Sequence, residues 1–152
     1  MKNIPFTLYP LLLAFLLIQS SCFQYPEGPF FTLQTRDERL QGTWGVSRVT
    51  DAGGSDVTNA TDEGGNPLYS NITLTVEVSR SGERNWSVFR NSLIRSLGTY
   101  QFARYGDELV ILYTFYNGAE TYLQKFYTIR KLTEKEFIYV DETGLKWEFR
   151  KF

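Results

Sequence analysis

The feature that most constrains this chain is an alternation of apolar and polar residues that recurs between short turn signals from Thr43 onward. The clearest case is residues 72–79, where Ile, Leu, Val and Val alternate with Thr, Thr, Glu and Ser. Successive side chains of a β-strand point to opposite faces, so this period of two predicts strands that each bury one face. No comparable helical periodicity follows residue 43, and we expect an all-β domain.

The turn signals predict how these strands are connected. Gly106-Asp107, Asn117-Gly118 and Thr143-Gly144 are typical of tight hairpins, and one longer loop covers residues 51–70. Consecutive hairpins predict an antiparallel meander of about eight strands. Such a meander loses its exposed edges when it closes into a barrel. A β-sandwich is the alternative, and the order of the strand connections distinguishes the two folds.

The first 21 residues have the pattern of an export signal. Lys2 precedes an almost wholly apolar run from Ile4 to Ile18, and this run is shorter than the ~20 residues that a membrane-spanning helix needs. Ser20-Ser21-Cys22 follows, and it resembles the cleavage motif of bacterial lipoproteins, although Gln19 departs from the usual aliphatic residue. The resemblance implies cleavage before Cys22 and lipidation of that cysteine. An ordinary secretory signal followed by a chance cysteine is the alternative.

This interpretation divides the chain into three segments. Residues 1–21 are the expected lipoprotein signal peptide, residues 22–35 a lipidated tether, and residues 36–152 the β-barrel domain. The expected location is the cell envelope, with the membrane as a partner through the lipid anchor. Phe23 stands where enterobacterial inner-membrane lipoproteins carry Asp, which favours the outer membrane.

Charge and residue usage exclude several functions. The chain has 16 basic and 17 acidic residues, and removal of residues 1–21 takes away one Lys, so the mature chain has a net charge of −2. No basic stripe is present, and we expect no nucleic-acid partner. Histidine is absent and the single cysteine is assigned to lipid, which leaves no Ser-His-Asp or Cys-His catalysis and no ordinary zinc site. We therefore expect neither enzymatic activity, nor a metal, nor a cofactor.

A family resemblance appears at the start of the first strand. The sequence Leu40-Gln-Gly-Thr-Trp44 contains a Gly-x-Trp motif, and residues 127–151 are similar to the last three strands of the same group. The chain resembles the lipocalin-like (calycin) domains of Bacteroidetes lipoproteins. The resemblance implies that Trp44 closes the narrow end of the barrel and that a basic residue packs over it. Arg150 and Lys151 are the two candidates; Lys151 shares the parity of Trp147 and Phe149, but the sequence leaves the choice open.

The same resemblance implies a lumen that either encloses an apolar ligand or is filled by side chains. The candidate ligand-lining residues are Ile72, Leu74, Val76, Trp86, Tyr100, Phe102, Leu109, Ile111, Tyr113, Phe115, Trp147 and Phe149. The favoured function is a non-enzymatic accessory module that contacts another envelope protein. The alternative is lipocalin-type binding of a small apolar ligand. A cavity of about 300 Å³ or more with an open mouth would favour ligand binding.

Residues 109–116 are apolar on both faces, whereas a barrel strand needs only one apolar face. Strict alternation would leave Val110, Leu112 and Tyr116 on the outside. We expect a cover over them, either the segment containing Phe30, Phe31 and Leu33 or another protein.

Overall fold

The structure is a computed structural model that describes residues 33–103 and 106–152. The predicted signal peptide and most of the predicted tether, including Cys22, Phe30 and Phe31, lie outside these residues. The described part contains one short helix and eight strands. They are α1 (Arg36–Leu40), β1 (Gly42–Thr50), β2 (Ile72–Val78), β3 (Arg84–Arg90), β4 (Leu93–Ala103), β5 (Glu108–Tyr116), β6 (Ala119–Leu132), β7 (Glu136–Val140) and β8 (Lys146–Lys151).

The strands form a single closed sheet. Each strand pairs antiparallel with the next one in sequence, and β8 pairs antiparallel with β1. This order confirms the predicted eight-stranded antiparallel barrel and excludes the β-sandwich. No helix in the described ranges is long and apolar enough to cross a membrane.

One turn construction recurs around the barrel and explains several glycines. In residues 51–55, 62–66, 79–83 and 141–145, the first backbone N–H donates to the fifth carbonyl, and the fourth N–H donates to the first carbonyl. The fourth residue is always Gly with a positive φ, between 77° and 88°. Only Gly adopts this conformation without strain. Two of these turns lie in the long loop between β1 and β2, which they divide into short structured units.

The helix is held against the barrel by its own sequence. Thr35 and Glu38 form a capping box, in which each side chain accepts a hydrogen bond from the backbone N–H of the other. Arg39 is buried and donates from Nη1 to the Leu132 carbonyl oxygen at 2.8 Å, which ties α1 to β6. α1 thereby lies across one end of the barrel.

Inward-facing side chains from every strand form the core. The part of the lumen nearest α1 is densely packed by residues that are almost fully buried. They include Leu40, Trp44, Val76, Leu109, Ile111, Ile129, Leu132 and Phe137. The end near α1 is therefore closed, and we call it the closed end; we call the opposite end, where the β1–β2, β3–β4, β5–β6 and β7–β8 connections lie, the open end.

Two β-bulges near the open end break the alternation. Arg95 is an extra residue in β4, because Ser96 pairs with Val88 and Ile94 pairs with Phe89. Thr114 is an extra residue in β5 opposite β4, between Tyr113 and Phe115. An extra residue reverses the parity of the positions after it, so bulges redirect side chains between the lumen and the outside.

The Thr114 bulge corrects two sequence predictions. Phe115, predicted to line the lumen, lies on the outer wall beside Leu97 and Tyr122. Tyr116, predicted to lie outside, instead contacts Tyr113 at a ring-centroid distance of 4.9 Å and faces the lumen.

The expected cover over β5 is also corrected in part. Val110 is buried, and its strand neighbours are Gln101 on β4 and Phe126 on β6. Leu112 stays 48% exposed, and Leu33 is 92% exposed, so Leu33 does not cover it. Of the three side chains expected to need a cover, only Leu112 lies on the outside uncovered.

Candidate functional site

The closed end is built around Trp44. The indole Nε1 of Trp44 donates to the Leu40 carbonyl oxygen at 2.7 Å, and the ring is fully buried. The Lys151 Nζ lies 4.7 Å from the centroid of this ring and donates to the Arg39 carbonyl oxygen at 3.1 Å. Between the two basic candidates, the structure places Lys151 over Trp44, whereas Arg150 is exposed on the outer face.

The structure explains why the Gly-x-Trp motif has a glycine at its first position. Gly42 has a φ of +132°, a conformation that other residues rarely adopt. A Cβ at this position would lie 2.9 Å from the Lys151 Cε. The motif therefore leaves room for the lysine that covers the tryptophan.

The Asp37 carboxylate of α1 is bound by a positive charge and by a hydrogen-bond donor of the barrel. Arg84 contacts Asp37 at 2.9 Å, and the Tyr100 hydroxyl donates to the same carboxylate at 2.9 Å. Burial raises the pKa of Asp37, but the hydrogen bonds from Arg84 and Tyr100 outweigh it, so its pKa is lowered overall. Burial lowers the pKa of Lys151. The polar groups around α1 thus serve to hold the helix in place.

The open end contains a cavity in the lumen of about 490 Å³, which we call the lumen cavity. It is bounded by inward-facing side chains of the strands and by residues of the open-end loops. They are Leu68, Tyr69, Ile72, Leu74, Trp86, Val88, Arg90, Arg95, Ser96, Tyr113, Tyr116, Asn117, Tyr127, Tyr139, Asp141, Trp147 and Phe149. Its volume lies within the range of about 300–1,000 Å³ that is usual for small-molecule sites.

The predicted ligand-lining residues fall into three groups. Those that line the lumen cavity are Ile72, Leu74, Trp86, Tyr113, Trp147 and Phe149. Those that belong to the packed core below the cavity are Val76, Tyr100, Phe102, Leu109 and Ile111. Phe115 lies on the outer wall, as described above. The barrel is therefore filled in one half and open in the other.

Eight of the seventeen residues that line the cavity are aromatic. Trp86 and Tyr127 are stacked with an interplanar angle of 19°, and Tyr139 and Trp147 with an angle of 25°. Tyr69, from the β1–β2 loop, meets Trp147 edge to face at 5.4 Å. Rings from strands on opposite sides of the barrel thus offer apolar contact area with fixed geometry.

Apart from the charged residues at the mouth, the polar groups of the cavity wall are neutral. The Tyr113 and Tyr127 hydroxyls share a hydrogen bond of 2.9 Å. Burial raises the pKa values of Tyr113, Tyr127 and Tyr139, so these phenols remain protonated at physiological pH. They are available to a ligand as neutral donors and acceptors.

Among the buried polar side chains in residues 33–103 and 106–152, Trp86 is the exception. Its Nε1–H is buried and has no hydrogen-bond partner. The Trp86 side chain lies near enough to the Tyr113 hydroxyl to oppose the rise in that phenol's pKa, yet the two groups do not reach hydrogen-bond geometry. An unpaired buried donor costs about 1–3 kcal/mol, which makes it an unusual feature of a native wall.

Three charged residues stand at the mouth of the cavity. Arg90 donates to the Pro67 carbonyl oxygen and is held by the β1–β2 loop. The Asp141 carboxylate accepts hydrogen bonds from the Thr143 and Leu145 backbones and from Trp147 Nε1 at 2.9 Å. Arg95 is exposed, and no carboxylate of the described residues forms an ion pair with it.

Sequence reasoning missed several of these residues for different reasons. Tyr127 and Tyr139 continue the period-two pattern of their strands, and that signal could have placed them in the lumen. Arg95 carries no such signal, because its position depends on the bulge in β4. Asp141 begins a turn that is indistinguishable in sequence from a solvated one.

A second feature lies on the outer wall over β4, β5 and β6. Large apolar side chains are exposed there, and the most exposed is Tyr122 at 90%. We call this surface the outer patch; it consists of Ile94, Leu97, Leu112, Phe115, Tyr122 and Phe126. Exposed apolar side chains that lie on neighbouring strands are common at protein–protein contacts.

The fold is thus a closed antiparallel barrel of eight strands, with a helix across one end and Trp44 covered by Lys151. Two solved structures are similar to it. A lipocalin-like protein from Bacteroides uniformis is 16% identical, with a TM-score of 0.48, over 75% of this chain and 99% of that one. An uncharacterized protein from Bacteroides eggerthii is 16% identical, with a TM-score of 0.47, over 74% of this chain and 99% of that one.

No protein-family model matches the chain, and no curated protein matches it. Within residues 33–103 and 106–152, no group of His, Cys, Asp or Glu side chains is arranged to hold a metal ion.

Proposed function

We propose that this protein is a non-enzymatic, lipid-anchored protein of the cell envelope whose barrel binds a small, largely apolar molecule in the lumen cavity. The observation that carries the proposal is the cavity itself. Its volume of about 490 Å³ exceeds the size at which the sequence analysis favoured ligand binding over a filled barrel. The ligand-binding alternative therefore replaces the accessory module as the leading function.

Identification of molecules that copurify with the protein tests this function. The protein is isolated from its own cell envelope and its small-molecule content is measured by mass spectrometry. Ser96→Phe and Val88→Phe fill the cavity from paired positions on β4 and β3. Thr99→Phe adds the same ring to the outer face of β4 and serves as the matched control.

We expect a molecule that is present in the wild type and in Thr99→Phe but absent from both filling variants. Two filling variants are used so that misfolding of one leaves the test intact, and circular dichroism checks each fold. A molecule retained in folded filling variants, or none in the wild type, contradicts the proposal.

The proposed site of the lipid anchor is Cys22, the single cysteine of the chain, which follows the apolar segment. Several acyl chains on one cysteine would hold the protein stably at a membrane. Metabolic labelling with a fatty-acid probe should mark the wild type and leave Cys22→Ser unmarked. Label that persists on Cys22→Ser contradicts lipidation at this residue. The outer membrane is the proposed location, and fractionation of the two membranes tests it.

A second candidate function, contact with another envelope protein, is favoured by the outer patch. Tyr122 and Phe126 lie on β6 beside the exposed Leu112 of β5. Tyr122→Ser with Phe126→Ser should abolish such a contact while leaving the lumen cavity intact. Crosslinking in intact cells checks this: a crosslinked species that is unchanged in the double variant contradicts the role of the patch.

A further inference from the structure

We infer that the lumen cavity selects a small monoanionic ligand with a flat ring body, whose acidic group is bound by Arg95 at the mouth. This inference rests on the proposed function and names its ligand class. Three observations carry it: the position of Arg95, the balance of charge at the mouth, and the wall of rings beneath it.

The position of Arg95 results from the bulge in β4. Strict alternation from the buried Ser96 would place the neighbouring side chain outside the barrel, but the bulge breaks this alternation and Arg95 borders the lumen cavity. The Arg95 Nη1 lies 3.8 Å from the position that a Cβ of Gly118 would occupy, over the β5–β6 turn. Arg95 therefore borders the cavity beside the β5–β6 turn, and its side chain is exposed to solvent.

Among the described residues, the charge balance at the mouth leaves Arg95 as the one positive group with neither an ion pair nor a side-chain hydrogen bond. The Asp141 carboxylate is saturated by donors from its own turn and from Trp147. Arg90 is engaged by the Pro67 carbonyl. Hydrogen bonds from Asn66 lower the pKa of Asp62, and the positive charge of Arg90 lowers it further. Arg90 therefore also interacts electrostatically with this carboxylate of the β1–β2 loop. Arg95 remains to pair with an anion from outside the chain, and its planar group matches a carboxylate or sulfonate.

The wall below the mouth suits a ring. Trp86, Tyr127, Tyr139 and Trp147 present ring faces and edges at fixed angles, which favours stacking over contact with a flexible chain. The hydroxyls of Tyr113 and Tyr127, which share a hydrogen bond, add a polar pair to this wall. A ring compound that carries a polar substituent satisfies both requirements.

Two fluorescent probes that share one ring skeleton test the charge requirement. 1-Anilinonaphthalene-8-sulfonate is anionic, and N-phenyl-1-naphthylamine lacks the sulfonate. We expect Arg95→Gln to weaken binding of the anionic probe about tenfold and to leave the neutral probe within about twofold. Arg80→Gln removes the same charge from the exposed β2–β3 turn at the opposite end of the barrel and serves as control. We expect it to change neither affinity.

Competition against the bound anionic probe tests the ring requirement. We expect 2-naphthoate to displace the probe at a concentration at least about tenfold lower than decanoate does. Equal displacement by the two carboxylates overturns the ring preference. An equal effect of Arg95→Gln on both probes, or no effect on either, overturns the role of Arg95.

Failure of this inference is distinguishable from failure of the proposed function. If both probes bind and Val88→Phe and Ser96→Phe abolish that binding, the lumen is the site whatever Arg95 does. If the filling variants leave probe binding unchanged, the probes bind elsewhere, such as on the outer patch, and both proposals fail. Absence of binding by either probe also overturns both.

Discussion

The two ends of this barrel use the same kinds of residue for different purposes. At the closed end, Trp44 is buried, donates to the Leu40 carbonyl and is covered by Lys151. At the open end, Trp86 is equally buried, but its Nε1–H has no partner and its neighbours border a cavity. A tryptophan and a basic residue thus complete the packing at one end, whereas at the other end a tryptophan and a basic residue border a cavity.

Under the proposed function, stability belongs to the closed end and ligand binding to the open end. The closed end satisfies its polar groups through α1, because Arg39 and Lys151 both donate to backbone carbonyls. Within the part of the chain that the structure describes, Trp86 Nε1 at the open end has no hydrogen-bond acceptor and Arg95 has no ion pair. A native protein retains unpaired groups mainly where they have a role, and this supports placing the binding site at the open end.

The largest expected effect is on stability at the closed end. Trp44→Ala should lower the free energy of unfolding by about 3–5 kcal/mol, because it removes a fully buried ring and leaves a cavity. Trp147→Ala, at the partly open wall of the lumen cavity, should lower it by less. Urea denaturation followed by circular dichroism measures both. Equal losses would show that the two ends are packed alike.

A smaller effect separates the two indole N–H groups. Trp44→Phe should cost about 1–3 kcal/mol more than Trp86→Phe in ligand-free protein, because only the first leaves a carbonyl without its donor. Both variants lose the same side-chain volume, so each controls for the other. The comparison fails if Trp86→Phe is the more destabilising change.

The cover over Trp44 should have a modest effect. Lys151→Met should lower the free energy of unfolding by about 0.5–2 kcal/mol through loss of the cation–aromatic contact. Arg150→Met changes the neighbouring charge on the exposed face and should leave stability nearly unchanged. Denaturant midpoints are measured for both variants. An equal loss of stability in the two variants would contradict a specific stabilising contact between Lys151 and the Trp44 ring.

The smallest effect concerns acid stability. Because the folded-state pKa of Asp37 is lowered, its stabilising contribution is complete above its ordinary pKa of 3.8 and is lost as the pH falls through the lower folded value. Asp37→Asn should therefore reduce the loss of stability between about pH 4 and pH 2. Thermal melts across this range check the slope. The same slope in wild type and variant would exclude Asp37 as a contributor.

The fold was predictable because two independent sequence signals agree. Period two predicted the strands, and hairpin signals such as Asn117-Gly118 predicted their consecutive antiparallel pairing. The resemblance at the Gly-x-Trp motif also identified Trp44 as the residue that closes the barrel. It left Arg150 and Lys151 as the two candidates for the basic residue that packs over the Trp44 ring. Gly42 belongs to this motif for a steric reason that only the position of Lys151 reveals.

The open end was only partly predictable, because β-bulges leave no clear trace in this sequence. Thr114 and Arg95 are ordinary strand residues, yet each is the extra residue that breaks the alternation of its strand. The Thr114 bulge places Tyr116 in the lumen and Phe115 outside. The alternation of apolar and polar residues also does not distinguish a packed lumen from an open one. Inward-facing aromatic residues occur in both cases. Lipidation of Cys22 remains a prediction.

The most direct test of the central claim uses the three tryptophan indole N–H signals in a nitrogen–proton NMR spectrum. Trp→Phe variants assign the signals, and 2-naphthoate is then titrated into the wild type. We expect the Trp86 and Trp147 signals to shift and reach saturation, while the Trp44 signal, at the closed end, stays in place. Signals that all remain unmoved, or a Trp44 signal that moves as far as that of Trp86, would contradict a binding site in the open half of the lumen.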